Sequence, residues 1–528
     1  MSFDKRTPTS SPPPIYVSPA LISMILVVCV FLFATWQAFS TQQFAWLATI
    51  PGIPLAVFFL NRRDYFFLTI IIFTAADIWM PVAGNNVPFH IFLRLIFVAG
   101  IIGASIISRP PAGRWDVPRI SLVCWMVIIL VTVAVRGTGI RQLGSPLWGG
   151  RNYIILLAML LFFLVIPLSV RLSRRQWIAI PVMMALLPII PVLADLLYIL
   201  SGGKLYFLYY IFKPGGGVAE AANTLMDQES GWRIQGASRV DLLLLLLLAM
   251  PWLGRSPHGK IISAFLFMAA LALASLGGFR GALLASIGVT LIYAWYRAPH
   301  RRMLIISAVL ALVMMLIAVA HFAAMSLPSP VQRVLSIVPF ARVEPMVEID
   351  ANFSSRWRLR IWEETLRTEV RPHLIVGRGF CFDPNRLIPQ YGPYMDEWSD
   401  TQNNVTNANF HSGPLSSLVL FGVPGFLCLL VFMISSVLKH LRIHRMDWHD
   451  PLLQHIHFVF LCYFLYSTLS FHLIYGDLTL SMIRYLSLLC LLEMLGNTRR
   501  EEVDRNPVEA PPAPLISEPV RTRAIRYF

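Results

Sequence analysis

The chain has 528 residues, of which 56% are hydrophobic and only 13% charged, and its mean hydropathy is +0.65. A water-soluble protein carries about a quarter charged residues, so a soluble multidomain enzyme is excluded. So is a disordered or collagen-like chain, because the 31 Gly and 37 Pro are scattered among long apolar runs. The 43 Lys plus Arg outnumber the 28 Asp plus Glu, a formal charge of +15. In a membrane protein such an excess reports topology, and no nucleic-acid partner is needed to explain it.

A helix needs about 20 apolar residues to cross a bilayer core. Runs of that kind lie near 20–38, 43–60, 64–83, 90–108, 118–135, 152–170 and 177–200, and a second set near 239–254, 260–277, 280–297, 303–326, 412–438, 455–473 and 479–496. The sequence therefore predicts an all-α polytopic membrane protein with about 14 transmembrane helices. With the N-terminus placed in the cytoplasm, the alternate short loops collect Arg62 and Arg63; Arg109, Arg114 and Arg119; Arg171, Arg174 and Arg175; Arg255 and Lys260; Arg297, Arg301 and Arg302; and Lys439, Arg442 and Arg445. Outside turns near Thr41, Asn85 and Tyr475 have no basic residue. Positive-inside logic then puts both termini in the cytoplasm.

The expected organisation follows. A disordered cytoplasmic start covers 1–19, and a first membrane part of about 11 spans covers 20–326. A long outside loop occupies 327–411, the last three spans 412–496, and a disordered cytoplasmic tail 497–528. The sequence has no Walker loop, no dinucleotide fingerprint and no Cys/His spacing for zinc, so neither a metal nor a cofactor is expected.

Outside segments that are rich in Arg break the positive-inside pattern. One contains Arg136, Arg141 and Arg151; a second contains Lys204, Lys213 and Gly231-Trp-Arg233-Ile-Gln-Gly236. In the third, residues 354–370 read as an amphipathic helix with a stripe of Leu359, Trp362, Leu366 and Val370, from which Trp357 and Ile361 fall away. Arg356, Arg360, Glu363, Glu364 and Arg367 form its polar face, Arg358 borders the stripe, and Pro372 ends it before a Gly377-Arg378-Gly379 turn. Guanidinium groups keep their charge and grip phosphate bidentately, so an outer set of them suits a pyrophosphate-bearing lipid.

Arg280 stands between two short apolar runs, where a charge is costly unless paired or functional. Arg94, after His90, and Arg484, after Asp477, pose the same question, and Arg484 and Asp477 could simply neutralise each other. His411 stands at the mouth of the next span, in Asn409-Phe-His411-Ser-Gly-Pro414, ahead of Phe421-Gly422-Val-Pro424-Gly425. A neutral imidazole there can take the proton that an attacking sugar hydroxyl must give up.

Taken in order, Arg233 and Gly236, Arg280-Gly281-Ala282, Arg358 with Trp362, Gly377 and Gly379, His411, and Gly422 with Gly425 resemble the O-antigen ligase and polymerase superfamily of bacterial membrane glycosyltransferases, over roughly residues 230–440. Phe279 and Ser412 stand where that pattern often has Ser and Asn. The resemblance implies a site on the periplasmic face of the inner membrane, beneath the 327–411 loop. It also implies a donor glycan on undecaprenyl pyrophosphate, an acceptor glycan or lipid, and metal-independent transfer that inverts the anomeric centre. On that basis His411 and Arg280 are the expected catalytic residues, with Arg233, Arg358, Arg356 and Arg378 holding pyrophosphate or glycan. A polysaccharide or lipid-linked sugar transporter or flippase is the alternative, since many spans and intramembrane charges also suit alternating access.

Overall fold

The computed structural model describes residues 62–82, 85–107, 115–138, 149–205, 208, 237, 241–276, 280–336, 338, 340–381, 397–406, 408, 410–474 and 476–505. The runs expected at 20–38 and 43–60, both termini up to 61 and from 506, and Arg233 lie outside these residues. The first helix among the described residues, α1 (Arg63–Ala75), leads into a hairpin of β1 (Trp79–Val82) and β2 (Asn85–Pro88), paired from Trp79↔Pro88 to Val82↔Asn85. The run at 64–83 is thus not one helix. Pro81 cannot continue a helix and biases Met80 toward extended backbone, and Asp77 already turns the chain with φ 50°.

From there the described elements are helical: α2 (Phe89–Ile107), α3 (Val117–Arg136), α4 (Gly150–Ser169), α5 (Arg174–Leu186) and α6 (Ile189–Leu200). Next come α7 (Leu242–Leu253), α8 (Pro257–Leu276), α9 (Arg280–Arg297) and α10 (Arg302–Phe322). The expected 327–411 loop is largely helical too, with α11 (Ser329–Leu335), α12 (Pro345–Thr365) and α13 (Glu397–Thr406). The chain then runs through α14 (Gly413–His444), α15 (Pro451–Leu473) and α16 (Leu480–Arg505). Helix boundaries follow sequence signals: Ser173 and Gln176 form a capping box before α5, and Asp116 caps α3 ahead of Pro118.

Among the described residues, seven helices are long and apolar enough to cross a membrane: α3, α4, α5 continued by α6, α8, the Pro299–Phe322 helix, α14 and α15. The multi-pass helical class is as expected, while the number of fourteen is not reached among these residues. α7 is apolar but shorter, and the helices at 280–297 and 480–505 carry charges at or near their ends. The main core joins α1, α2, α3, α4, α7, α14, α15 and α16 through residues such as Phe66, Phe97, Trp125, Phe163, Phe432 and Tyr485. Phe163 meets Phe432 edge-on at 5.8 Å, and Phe66 lies 4.6 Å from Phe97.

At one end of this bundle several of the basic residues expected inside are paired with carboxylates. Lys439 on α14 bonds Asp116 at 2.6 Å and also Glu493 on α16. Arg119 lies 3.8 Å from Glu493, Arg174 bonds Asp450 at 2.5 Å, and Arg171 bonds Glu501 at 2.5 Å. Deeper in the bundle, Arg94 is fully buried without a carboxylate partner among the described residues. It donates to Thr74, Ser487 and the Met159 sulfur and lies over the Phe162 ring. Arg484 is exposed on α16.

Candidate functional site

At the opposite end, α12, α13 and the start of α14 share a small core of Ile361, Val370, Val405, Phe410, Leu415 and Val419, with Trp357 and Trp362 packed against it. This corrects the expected stripe of α12. Leu359 and Leu366 are 63% and 51% exposed, whereas Ile361 is fully buried and Trp357 faces the core. The helix is also longer at its start than expected, and its end is irregular. A π-turn over Leu366–Val370 and a 3-10 turn over Arg371–His373 follow Thr365. The π-turn carries Glu369 into the interior.

The Gly-rich motifs on the two sides of α13 prove to be halves of one joint. Within α14, Gly422 adopts φ 68°, which breaks the helix, and Pro424 has no N–H to offer the Leu420 carbonyl. The Val419 and Leu420 carbonyls left over accept instead from the amides of Arg378 and Gly379, at 2.8 and 2.9 Å, and the Val423 amide donates to Leu374 at 2.8 Å. Gly377 lies so close to the break that a Cβ there would overlap the Leu420 carbonyl. Arg136, at the end of α3, donates to the Gly377 and Val376 carbonyls at 3.1 and 3.2 Å. Tyr153 on α4 accepts from the Phe380 amide at 2.8 Å.

This joint sets the height of the site. The Gly422 break lies about one turn inside the end of α3, since Gly425 packs beside Ile128 and Phe421 against Trp125, and α3 is a 20-residue helix about 30 Å long, the thickness of a bilayer core. α14 has 32 residues, about 48 Å of helix, and the surplus precedes the break. His411, just before α14, therefore stands beyond the end of α3 by roughly 10 Å or less.

His411 occupies a left-handed turn, φ 52°, after Ala408 at φ 59°. Such backbone is uncommon for residues with a side chain and persists where surrounding structure enforces it. Here Trp362 donates from Nε1 to the Phe410 carbonyl at 2.7 Å, the Trp357 ring lies 5.1 Å from the imidazole, and Ser412 caps α14 through the Leu415 amide. The chain turn that follows α15 abuts the same point, since a Cβ on Gly476 would lie 2.9 Å from the Gly413 Cα. Burial, then the positive charge of Arg358, lower the His411 pKa to about 4, opposed by the negative charge of Asp477. At neutral pH the ring is uncharged and able to accept a proton.

The expected Arg residues separate into groups. Arg358 is half-buried beside His411, and its Nε donates to no described residue. Arg356 is exposed on the other side of α12. Arg378 does not open onto His411: its guanidinium bonds Glu369 at 3.0 Å and the Val405 and Thr406 carbonyls at 3.1 and 3.2 Å. Arg280 begins α9, which packs along α15 with Tyr293 against Phe458 and Gly288 against Tyr466. α9 and α15 are thus antiparallel, which places residue 280 at the bundle end shared by Leu473, Asp477 and His411. Among the described residues no group of three or more His, Cys, Asp or Glu is arranged to hold a metal ion.

Sequence reasoning missed Glu369, Trp357 and the partnership of Asp477 with His411. Glu369 had a signal: it continues the Ile361, Thr365 spacing of four, now seen to be the buried face. Asp477 had none, because only folding brings the turn after α15 to the start of α14. Residues 263–430, about a third of the chain, match the family model described as O-antigen ligase, Wzy_C. No curated protein matches the chain. The matched stretch contains Arg280, Arg358, Arg378, His411 and both halves of the Gly422 joint, and over that length the chain is similar to the O-antigen ligase family of polysaccharide biosynthesis. The resemblance read from the motifs is thereby borne out over that stretch.

Proposed function

With an O-antigen ligase domain at residues 263–430 as premise, we propose that this protein is an inner-membrane glycosyltransferase that moves or polymerises a glycan carried on undecaprenyl pyrophosphate. In this reading the His411 end faces the periplasm and both termini lie in the cytoplasm. The observation that carries it is the pairing of an uncharged imidazole with an adjacent, half-buried arginine at the bundle end beyond α3.

His411 takes the proton of an acceptor hydroxyl as that oxygen attacks the anomeric carbon, and the bond from that carbon to the pyrophosphate oxygen breaks on the opposite face. One C–O bond forms, one breaks, and the configuration inverts. Arg358 and Arg280 receive the negative charge that develops on the leaving pyrophosphate, with Arg233 and Arg356 as further contacts for the phosphate or glycan. The positive charge of Arg358 disfavours protonation of His411 in the resting enzyme. The approach of an anionic donor offsets that charge, so the imidazole becomes more basic once substrate is bound.

The test is reconstitution of the full chain in proteoliposomes with a polyprenyl-pyrophosphate-linked glycan, following release of polyprenyl pyrophosphate and the size of the glycan product. Wild-type protein is expected to change the glycan chemically. His411→Ala and Arg280→Ala are expected to lose roughly 100-fold to 10,000-fold in rate while remaining membrane-inserted. Movement of unaltered lipid-linked glycan across the bilayer, without release, would establish a flippase instead.

A further inference from the structure

We propose that Arg378 and Glu369, together with Trp362, are positioning residues that hold the connection between α13 and α14 so that the imidazole of His411 is presented to the acceptor. The inference rests on the reading of His411 as general base.

Arg378 is a bridge between the two helices that flank His411. Its backbone amide is fixed to α14 through the Val419 carbonyl. Its side chain reaches the end of α13, where it takes the Val405 and Thr406 carbonyls. Carbonyls in the last turn of a helix have no partner within it, and a cation there also complements the helix dipole. A guanidinium this enclosed, with its side chain 11% exposed, needs a counter-charge, and Glu369, 3% exposed, supplies it.

The connection itself is held from two sides. The Phe410 ring lies 5.8 Å beneath the Arg378 guanidinium, and the Phe410 carbonyl accepts from Trp362. One residue later the chain makes the left-handed turn at His411. Removing the Trp362 bond frees a buried carbonyl adjacent to that turn, and replacing Arg378 by Lys keeps the charge but loses the fork that spans Glu369 and two carbonyls. A pyrophosphate bound at Arg378 would have to displace Glu369, which makes Arg378 a poor substrate ligand.

The groups that set the charge of His411 are Arg358 on α12 and Asp477 in the turn after α15, with burial beneath Trp357. If the turn at Phe410 and His411 loosens, the imidazole gains water and its pKa rises from about 4 toward the ordinary value near 6.5. Because the neutral ring is the active form, the rate falls as pH drops through that pKa. Loosening therefore moves the acid limb of the rate profile upward.

The experiment uses the full chain in proteoliposomes with a polyprenyl-pyrophosphate-linked glycan, comparing wild type, Trp362→Phe and Arg378→Lys, each normalised to folded protein. The expected result is a fall of roughly 10-fold or more in kcat, KM for the donor within about threefold, and an acid limb displaced upward by about one unit or more. Loss of kcat with the limb at the wild-type position would mean that these residues only stabilise the fold. A rise in KM alone would make Arg378 a substrate ligand, and unchanged kinetics would remove any role; each result overturns the proposal. Trp362→Phe keeps the test open if Arg378→Lys does not fold. His411→Ala separates the two readings. Full activity in that variant ends the base assignment itself, whereas its inactivity beside an unshifted Trp362→Phe profile ends only the positioning role.

Discussion

The two ends of the helical bundle carry the same kinds of ionisable residue and use them in opposite ways. At the Lys439 end, Lys439, Arg119, Arg171 and Arg174 each have a carboxylate, and Glu493 serves Lys439, Arg119 and His440 together. At the His411 end, the Arg378–Glu369 pair lies inside the small core while Arg358 stands beside the imidazole with a buried Nε that no described residue accepts from. Paired charges tie helices to one another, and a cation left open beside a base can meet a ligand. Charge count alone, +15 over the chain, cannot separate these uses; the distribution of carboxylates does.

That contrast predicts a crossover. Arg358→Ala is expected to lower transfer by roughly 10–100-fold with little change in thermal midpoint, since its guanidinium bonds no described neighbour through Nε. Glu493→Ala removes the buried carboxylate shared by Lys439, Arg119 and His440, leaving Lys439 with Asp116, and is expected to cost roughly 3 kcal/mol of stability, while the surviving folded protein transfers at the normal rate. Thermal melts in detergent alongside turnover assays check both halves, and a swap of the two phenotypes would erase the distinction between the ends. A smaller effect is expected from Gly377→Ala, whose Cβ must push the Leu420 carbonyl aside. A loss of roughly 1–3 kcal/mol should appear as a lowered midpoint.

The smallest effect sharpens the comparison most. The negative charge of Asp477 opposes the lowering of the His411 pKa and the positive charge of Arg358 contributes to it. The acid limb, expected near pH 4 in the wild type, should therefore move down in Asp477→Asn and up in Arg358→Ala. A pH–rate series over the three proteins reads both directions at once, and a shift of the same sign in both variants would refute this account of the charges.

Much of this architecture is legible in the sequence because hydrophobic length and basic loop residues are local signals. The runs at 118–135, 152–170 and 455–473 became α3, α4 and α15 almost residue for residue. The amphipathic helix is legible with half of its stripe: Trp362 and Val370 pack inward as expected, whereas Leu359 and Leu366 are exposed and Trp357 and Ile361 take their place, because the helix buries its aromatics against α13 and α14 rather than its leucines. His411 was legible from its place at a span mouth, whereas its environment was not. Trp357 and Arg358 reach it from α12 and Asp477 from the turn after α15, and such convergence is a property of the fold.

The break at Gly422 also constrains how the molecule is assembled. α14 emerges with two carbonyls and one amide that its own helix does not satisfy, at the edge of a medium where each such group costs several kcal/mol. The segment that satisfies them, residues 374–379, is made before α14. Neither partner has these bonds without the other, so the two are expected to become stable together. Amides at Arg378, Gly379 and Val423 are thus expected to open to solvent together, as one cooperative unit rather than as a loop and a helix.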